Sequence, residues 1–412
     1  MNPQDNNIVA GIDVHKRILV VVVLHSSTPD RDHATARFGA SQQAREQLVE
    51  FLRFHQVSRV AMESTAQYWR PIWMDLEDEF SLTLAQARST HAPRGRKQDL
   101  SDARRIARRL LSGDLTASYV PGPEQREWRL LSRTRVGMLE SVVRLRNQIE
   151  VLLEQAQIKL SSVVSDVLGL SGRRILHALL EGVHDPVQLA ALAHHRIRTS
   201  KEDLADALSG RLTPSQQLVL KLYLEQIEQI ERHMGDVEKA LAQAEAEHQD
   251  AIERLCEMPG VSVRSAQHVI AEIGPRAEAF ASSGKLASWV GVCPGRNESA
   301  GVSTSNRSPK GNHMMRRILS QIAWAAASKG SEAQRRYRKW VGRLGPQKAA
   351  WAVAHYQLRV MWNILHQGVR FRSPDTADLD RHSLLRRAKR VLADLKRLGY
   401  AVTITPLTES GA

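Results

Sequence analysis

Asp13 in "GIDVHK", Glu63 in "AMESTAQYW", and Asp99 and Asp102 in "GRKQDLSDARRIARRLL" are acids in settings that do not obviously call for them. The last two lie three positions apart in a stretch crowded with arginine, and a helix that only grips nucleic acid loses affinity by carrying carboxylates. Phosphodiester chemistry that depends on metal does call for them. It needs several carboxylates converging on two Mg2+ ions about 4 Å apart, which hold the attacking and leaving oxygens.

Each acid also has a plainer use. Asp99 stands at a helix start, where a carboxylate caps exposed N–H groups. Asp102 can pair with Arg105 or Arg108 at the surface, where such pairs contribute little. Taken together, the order Asp, Glu, Asp, Asp on strand, strand and helix is harder to assign to capping and surface charge. The cations beside the acids then have a use as well: Arg94, Arg96, Lys97, Arg104, Arg105, Arg108 and Arg109 can hold backbone phosphates while the acids hold metal.

A second polar segment, "GVCPGRNESAGVSTSNRSPKGNHMMRRIL", runs from Gly291 to Leu319 as a loop ahead of an amphipathic helix. A serine becomes a competent nucleophile when a base or metal helps remove its proton and small neighbours give access. Ser299, beside Ala300 and Gly301, meets the steric condition but has no local histidine or lysine. Serine is also an ordinary turn residue, and Ser303, Ser305 and Ser308 are as eligible on spacing alone. Lys310, Gly311, Asn312, Arg316 and Arg317 read as a turn and helix start that contact phosphate.

These residues need elements to position them. Ile8–Asp13 and Ile18–Leu24 are apolar and β-branched, which predicts a hairpin with a well-buried centre; a short strand should end at Glu63. Ala44, Leu48, Phe51 and Leu52 share one helical face between them, so the region is predicted to be an α/β sheet with a crossover helix. Asp99 and Asp102, at i and i+3 on a following helix, would have Cβ atoms about 5–6 Å apart on one face.

Beyond Pro123, apolar residues recur at alternating spacings of four and three. Met138, Val142, Leu145, Ile149, Leu152 and Ala156 form one series; Ile227, Ile230, Met234, Val237, Leu241 and Ala244 form another. Two arms of an antiparallel coiled coil are expected, with a helical insertion at 161–214. In "LCEMPGVSVRSAQHVIAEIG", Pro259 and Gly260 lie between two helical patterns, either as a helix-hairpin-helix offering N–H groups to phosphate or as an ordinary tight turn. Final helices are expected at 313–328 and 331–366, broken near Gly345 and Pro346, before an Arg-rich tail.

The chain of 412 residues is too long for one core, and its net charge of +14 points to a polyanionic partner. Cys256 and Cys293 are too few for a disulfide framework or a thiolate zinc site and are expected to be core fillers, which suits a reducing cytoplasm. No apolar run approaches the roughly 20 residues that span a bilayer, and the N-terminus has no secretory pattern. A cytoplasmic protein without membrane contact is expected.

In order, "VAGIDVHK", "VAMESTAQYW", "GRKQDLSDARRIARRLLSGDLTASYVP", "MPGVSVRSAQHVIAEIG" and "ASWVGVCPGRNESAG" continuing to "KGNHMMRRIL" resemble the insertion-sequence transposases that pair a resolvase-like DEDD domain with a C-terminal serine domain, also described as RNA-guided or bridge-RNA recombinases. The resemblance implies an RNase H-like, RuvC-like N-terminal domain at 1–122 whose Asp13, Glu63, Asp99 and Asp102 bind Mg2+. It implies a helical coiled-coil and insertion region at 123–254, a mainly α C-terminal transposase domain at 255–368, and a basic tail at 369–412. Ser299 would be the nucleophile that forms a phosphoserine intermediate with DNA, meeting the acids between protomers of a dimer or tetramer. Donor and target DNA would be partners, paired with a guide noncoding RNA.

The chain departs from that family at Ala66, where glycine is frequent, at Gln98, where threonine is common, and in "VSTSNRSPKGN", which lacks the glycine usual before the basic turn. Two other functions fit the residues: a junction-resolving nuclease that activates water with the same acids, and an inactive nucleic-acid-binding scaffold.

Overall fold

The computed structural model describes residues 8–63, 66–86, 98–195, 197, 199–295, 297–299, 302–305, 307–328, 331–372, 391–393 and 395–397. The chain divides into two compact units, Met1–Pro121 and Gly122–Ala412.

The N-terminal unit is built on a mixed five-stranded sheet in the order β3-β2-β1-β4-β5. The strands are β1 (Ile8–Val14), β2 (Ile18–His25), β3 (Asp32–Gly39), β4 (Arg59–Glu63) and β5 (Ser81–Ala85). The first three pair antiparallel, while β4 runs parallel to β1 and β5 parallel to β4. Helices α1 (Gln42–Phe54) and α2 (Trp69–Leu76) cover one face with Leu48, Leu52, Ile72 and Leu76. Helix α3 (Asp99–Ser112) covers the other with Ala103, Ile106, Ala107 and Leu110.

Cover on both faces explains why β2 reads "ILVVVVLH" as an unbroken apolar run. The edge strand β3, "DHATARFG", instead alternates half-buried and exposed residues, and this polar half hid it from the sequence reading. Ser41 caps α1 by accepting the Ala44 N–H at 3.3 Å, which fixes where the crossover helix begins.

In the C-terminal unit, α4 (Pro123–Gln155) and α9 (Pro214–Ala244) lie antiparallel. Trp128 Nε1 donates to the Ala244 carbonyl at 3.1 Å, and Arg135 Nε to Glu238 at 2.6 Å. The expected seam is buried at Leu145, Ile149, Leu152, Ile227 and Leu241, and half-buried at Met138, Val142, Ile230, Met234 and Val237. Four short helices join the long pair: α5 (Leu160–Val163), α6 (Leu170–Leu180), α7 (Pro186–Ala191) and α8 (Lys201–Ala207). Ile158, Leu176, Leu189, Leu204 and Leu208 close a core with Leu220 and Leu224 of α9.

The remaining elements are α10 (Gln249–Cys256), α11 (Val263–Ile273), α12 (Ser283–Val290), a hairpin of β6 (Asn297–Ser299) and β7 (Val302–Ser305), then α13 (His313–Ala327), α14 (Glu332–Leu344) and α15 (Pro346–Gln367). Gly345, at φ +77°, and Pro346 divide the last two helices. In the turn between α10 and α11, Gly260 has φ +83°, and a Cβ there would lie 2.5 Å from the Ile322 carbonyl oxygen of α13. The Val261 N–H donates to Met258 and the Ser262 N–H to Ser265, so two of the turn's donors are already used within the protein. Cys256 and Cys293 are free and half-buried. Among the described residues no helix is long and apolar enough to cross a membrane.

Candidate metal centre

Strand alternation sorts β1 into two faces. Ile8, Ala10, Ile12 and Val14 enter the core under α1 and α2, which leaves Val9, Gly11 and Asp13 on the face of α3. At Gly11 the helix touches the strand directly: an added Cβ would lie 2.2 Å from the Ala103 carbonyl oxygen and 2.5 Å from the Ala107 nitrogen. Glycine in the strand and two buried alanines on the helix permit this approach. It fixes the first turn of α3, with Asp99 and Asp102, above the end of β1 where Asp13 stands.

Asp13 and Asp102 are both buried, at 6 % and 5 % exposure. His15 Nε2 lies 3.1 Å from Asp13 Oδ2 and 3.4 Å from Asp99 Oδ1, so its ring stands between the two carboxylates. Asp13, His15 and Asp99 each offer one ligand atom within 4.8 Å of the others. Glu63 follows Met62, which pairs with Ile12 in parallel register, and alternation from Ala61 sets it on the same sheet face as Asp13. It is half-buried.

The electrostatics are those of a site short of positive charge. Burial pushes the Asp13 carboxyl above its usual range; His15 opposes that shift, while Asp102 and Asp99 add to it by repulsion. Carboxylate oxygens around one point are a hard donor set suited to Mg2+ or Mn2+, and His15 adds a nitrogen at the rim. The residues present therefore fit a divalent cation.

The simpler uses expected of the acids are met only in part. Gln98, not Asp99, is the N-cap residue of α3, and its side chain makes no capping bond. The Asp102–Arg105 pair does form, with Arg105 Nη2 donating to Asp102 Oδ1 at 2.7 Å, but a carboxylate has a second oxygen. Ala66, the other departure near the site, has φ +47°, the left-handed region that glycine occupies without strain.

A recess of about 460 Å3 opens at this edge, lined by His15, Lys16, Arg17, Ile18, Tyr68 and Asp99. Lys16 and Arg17, in the β1–β2 turn, are exposed beside the acids. Of the cations expected to hold phosphate, Arg94, Arg96 and Lys97 lie outside the described residues. Arg104 makes a two-pronged pair with Asp32, its Nε donating at 2.7 Å, and Arg108 donates to the Asp30 carbonyl at 3.2 Å.

In the C-terminal unit Asn312 caps α13 by accepting the Met315 N–H at 3.0 Å and donates to Glu272 at 2.8 Å. Arg316 donates to the Pro309 carbonyl at 2.7 Å and lies 4.7 Å over the Trp351 ring, and Arg317 pairs with Glu140. Lys310 is exposed. Gly311 is held against Val290, whose carbonyl oxygen would lie 2.1 Å from an added Cβ, so this turn is anchored to the end of α12.

Ser299 ends β6, opposite Val302 of β7. The segment expected to be a loop is a two-stranded hairpin here, a pairing that its glycines and serines do not announce. Sequence reasoning passed over His15, although it stands two residues after Asp13, and Gly11, whose role appears only when α3 meets the sheet.

Residues 10–158 match the family model of the IS110-type DEDD transposase, and residues 252–338 that of the transposases of the IS116/IS110/IS902 family. No curated protein matches the chain.

Proposed function

From a chain that carries an IS110-type DEDD transposase domain and an IS116/IS110/IS902-type transposase domain, we infer a DNA transposase or recombinase that cuts and rejoins strands with Mg2+ held by Asp13, Glu63, Asp99 and Asp102 and with Ser299 as nucleophile. The observation that carries this reading is the approach of Asp13, His15 and Asp99 to within 4.8 Å of one another at the end of β1, where Gly11 seats α3 and where buried Asp102 acts on Asp13 by repulsion. The strand order β3-β2-β1-β4-β5, three antiparallel strands followed by two parallel, supports an RNase H-like fold for the acid-bearing unit.

A bound divalent ion supplies Lewis-acid stabilisation of the charge that builds on phosphoryl oxygens. The four acids bind and orient it, and His15 steadies the Asp13 and Asp99 carboxylates from between them. Lys16 and Arg17 meet the backbone phosphates of the strand entering the recess. Ser299 Oγ attacks phosphorus, forming the Oγ–P bond as the P–O bond to the leaving strand breaks. The serine proton leaves, and the departing oxygen is protonated. Rejoining reverses this: a strand hydroxyl attacks the phosphoserine and releases Ser299, so no high-energy cofactor is consumed.

The family resemblance alone supports a guide noncoding RNA, with base pairing choosing donor and target DNA while the protein contacts backbone; the net charge of +14 supports a polyanionic partner of either kind. A dimer or tetramer, joined through the α4–α9 arms as a coiled coil, is the assembly this reading takes.

The test is strand cleavage of element-end DNA in Mg2+ with the cognate RNA, resolved on denaturing gels. Wild type should give a covalent protein–DNA adduct, Ser299→Ala neither adduct nor cleavage, and Asp102→Asn no cleavage. Cleavage retained by Ser299→Ala would assign the chemistry to water. A wild type unable to cut would leave a binding scaffold.

A further inference from the structure

A recess of about 890 Å3 opens in the C-terminal unit. One wall is α14, which presents Arg336, Trp340 and Leu344 at a spacing of four, hence on one face. The other is α15, with Lys348, Trp351, Tyr356 and Arg359. Its rim is the base of the β6–β7 hairpin, Pro294 on the way in and Arg307 and Ser308 on the way out. The two arms of that base are tightly apposed, since a Cβ on Gly295 would lie 2.2 Å from the Arg307 carbonyl oxygen.

The lining combines three aromatic rings with four permanent cations, Arg307, Arg336, Lys348 and Arg359, and among the described residues that line it there is no carboxylate; Glu332, behind them, accepts from the Tyr356 hydroxyl at 3.2 Å. Several of these groups are already set. Arg336 lies 4.0 Å over the Tyr356 ring, and its Nε donates to Glu332, one turn earlier on α14, at 2.7 Å. Arg359 Nε is 3.3 Å from Ser283 Oγ. Trp351 carries the Arg316 guanidinium at 4.7 Å. Burial and the Arg359 charge lower the His355 pKa, which favours a neutral imidazole able both to donate and to accept.

Rings interleaved with cations suit a single strand, whose bases stack on aromatic faces while its phosphates meet positive charge. The volume suits a ligand the size of a few nucleotides and not a duplex. We propose that this recess holds unpaired nucleotides, with bases against Trp340, Trp351 and Tyr356 and phosphates against Arg307, Lys348 and Arg359. A strand held there would run along the base of the hairpin that carries Ser299. The partner class rests on the transposase reading, whereas the recess and its lining do not.

The experiment uses the full chain in EDTA, so that binding is read without strand cutting. Fluorescently labelled oligo(dT) and oligo(U), the corresponding duplex and a poly-glutamate competitor are compared by anisotropy, and 5-iodouridine versions are crosslinked and mapped by mass spectrometry. Single strands should bind more tightly than duplex, Trp340→Ala should weaken them about tenfold, and Trp340→Phe should restore most of that loss. Crosslinks on wild type should fall on Trp340, Trp351 or Tyr356, a result that stands even if Trp340→Ala fails to fold. Preference for oligo(dT) or oligo(U) identifies the strand as DNA or RNA. Crosslinks elsewhere, unchanged affinity in folded Trp340→Ala, or displacement by poly-glutamate in preference to either strand would overturn the proposal. Crosslinks in the recess from a protein that never cuts DNA would uphold it while removing the catalytic reading.

Discussion

Asp13 and Glu272 are buried carboxylates of the two units, and their surroundings differ in one respect. Glu272, on α11 and 1 % exposed, receives Arg133 Nε and Nη2 on its two oxygens at 2.8 and 2.9 Å, with Asn312 at 2.8 Å and Arg129 at 3.5 Å. Burial pushes its pKa up, but the bonds from Arg133 and the charges of both arginines outweigh that and hold it below the usual range. Around Asp13 burial wins, because its neighbours are His15 and two more acids. A buried charge must find a partner or give up its proton. Glu272 has its cations within the protein, whereas the Asp13 cluster lacks them and is compatible with a divalent cation.

Glu272→Ala should have the largest effect on stability. It strands Arg133 and removes a charge partner of Arg129, which keeps the Ala271 and Glu272 carbonyls; truncating one side of a buried pair costs about 3–5 kcal/mol, here near the lower end because Arg133 is partly exposed. Denaturant unfolding of the C-terminal transition measures it. Asp13→Asn, by contrast, should leave metal-free stability unchanged or raised, and an equal loss in both variants would erase the distinction.

Gly11→Ala should come next, at about 1–3 kcal/mol, because the added methyl pushes α3 off β1. It should also weaken Mn2+ binding without touching a ligand. Unchanged binding would mean that the α3 approach does not set the site.

Glu245 is a third case, fully buried with neither oxygen in a well-formed hydrogen bond. Burial, opposed only in part by Gln267, pushes its pKa up to about 8. Its folded pKa lies above the unfolded value of 4.5, so its contribution is complete below pH 4.5 and is lost as pH rises through about 8. Glu245→Gln should match wild type below pH 4.5 and gain on it progressively as pH rises to about 8, read from urea midpoints across that range. The opposite slope would place a cation beside Glu245. The smallest effect is expected of Gln98→Thr, which supplies the side-chain cap α3 lacks and should add about 0.5–1 kcal/mol to thermal stability of the N-terminal unit.

Much of the acid-bearing unit was legible because its signals are local. The apolar runs of β1 and β2, the face of α1 and the i, i+3 pair on α3 need no knowledge of distant residues. β3 and β5 were not legible: "DHATARFG" is half polar because it is an edge, and "SLTLA" is too short to stand out. Long-range pairing hid the rest. An arginine run cannot reveal that Arg104 is taken by Asp32, nor can "GID" reveal that its glycine receives a helix backbone. The basic and aromatic recess was missed for the same reason, its walls being two helices and the base of a hairpin.

A divalent cation held by Asp13, Asp99 and Asp102 together with Glu63 is what the proposed chemistry requires. Calorimetric titration of Mn2+ into wild type, Asp13→Asn and Asp102→Asn, each first stripped with EDTA, tests it directly. Saturable binding that weakens at least tenfold in both variants, with metal-free melting temperatures no lower than wild type, is the expected result. Equal affinity in all three proteins would contradict it.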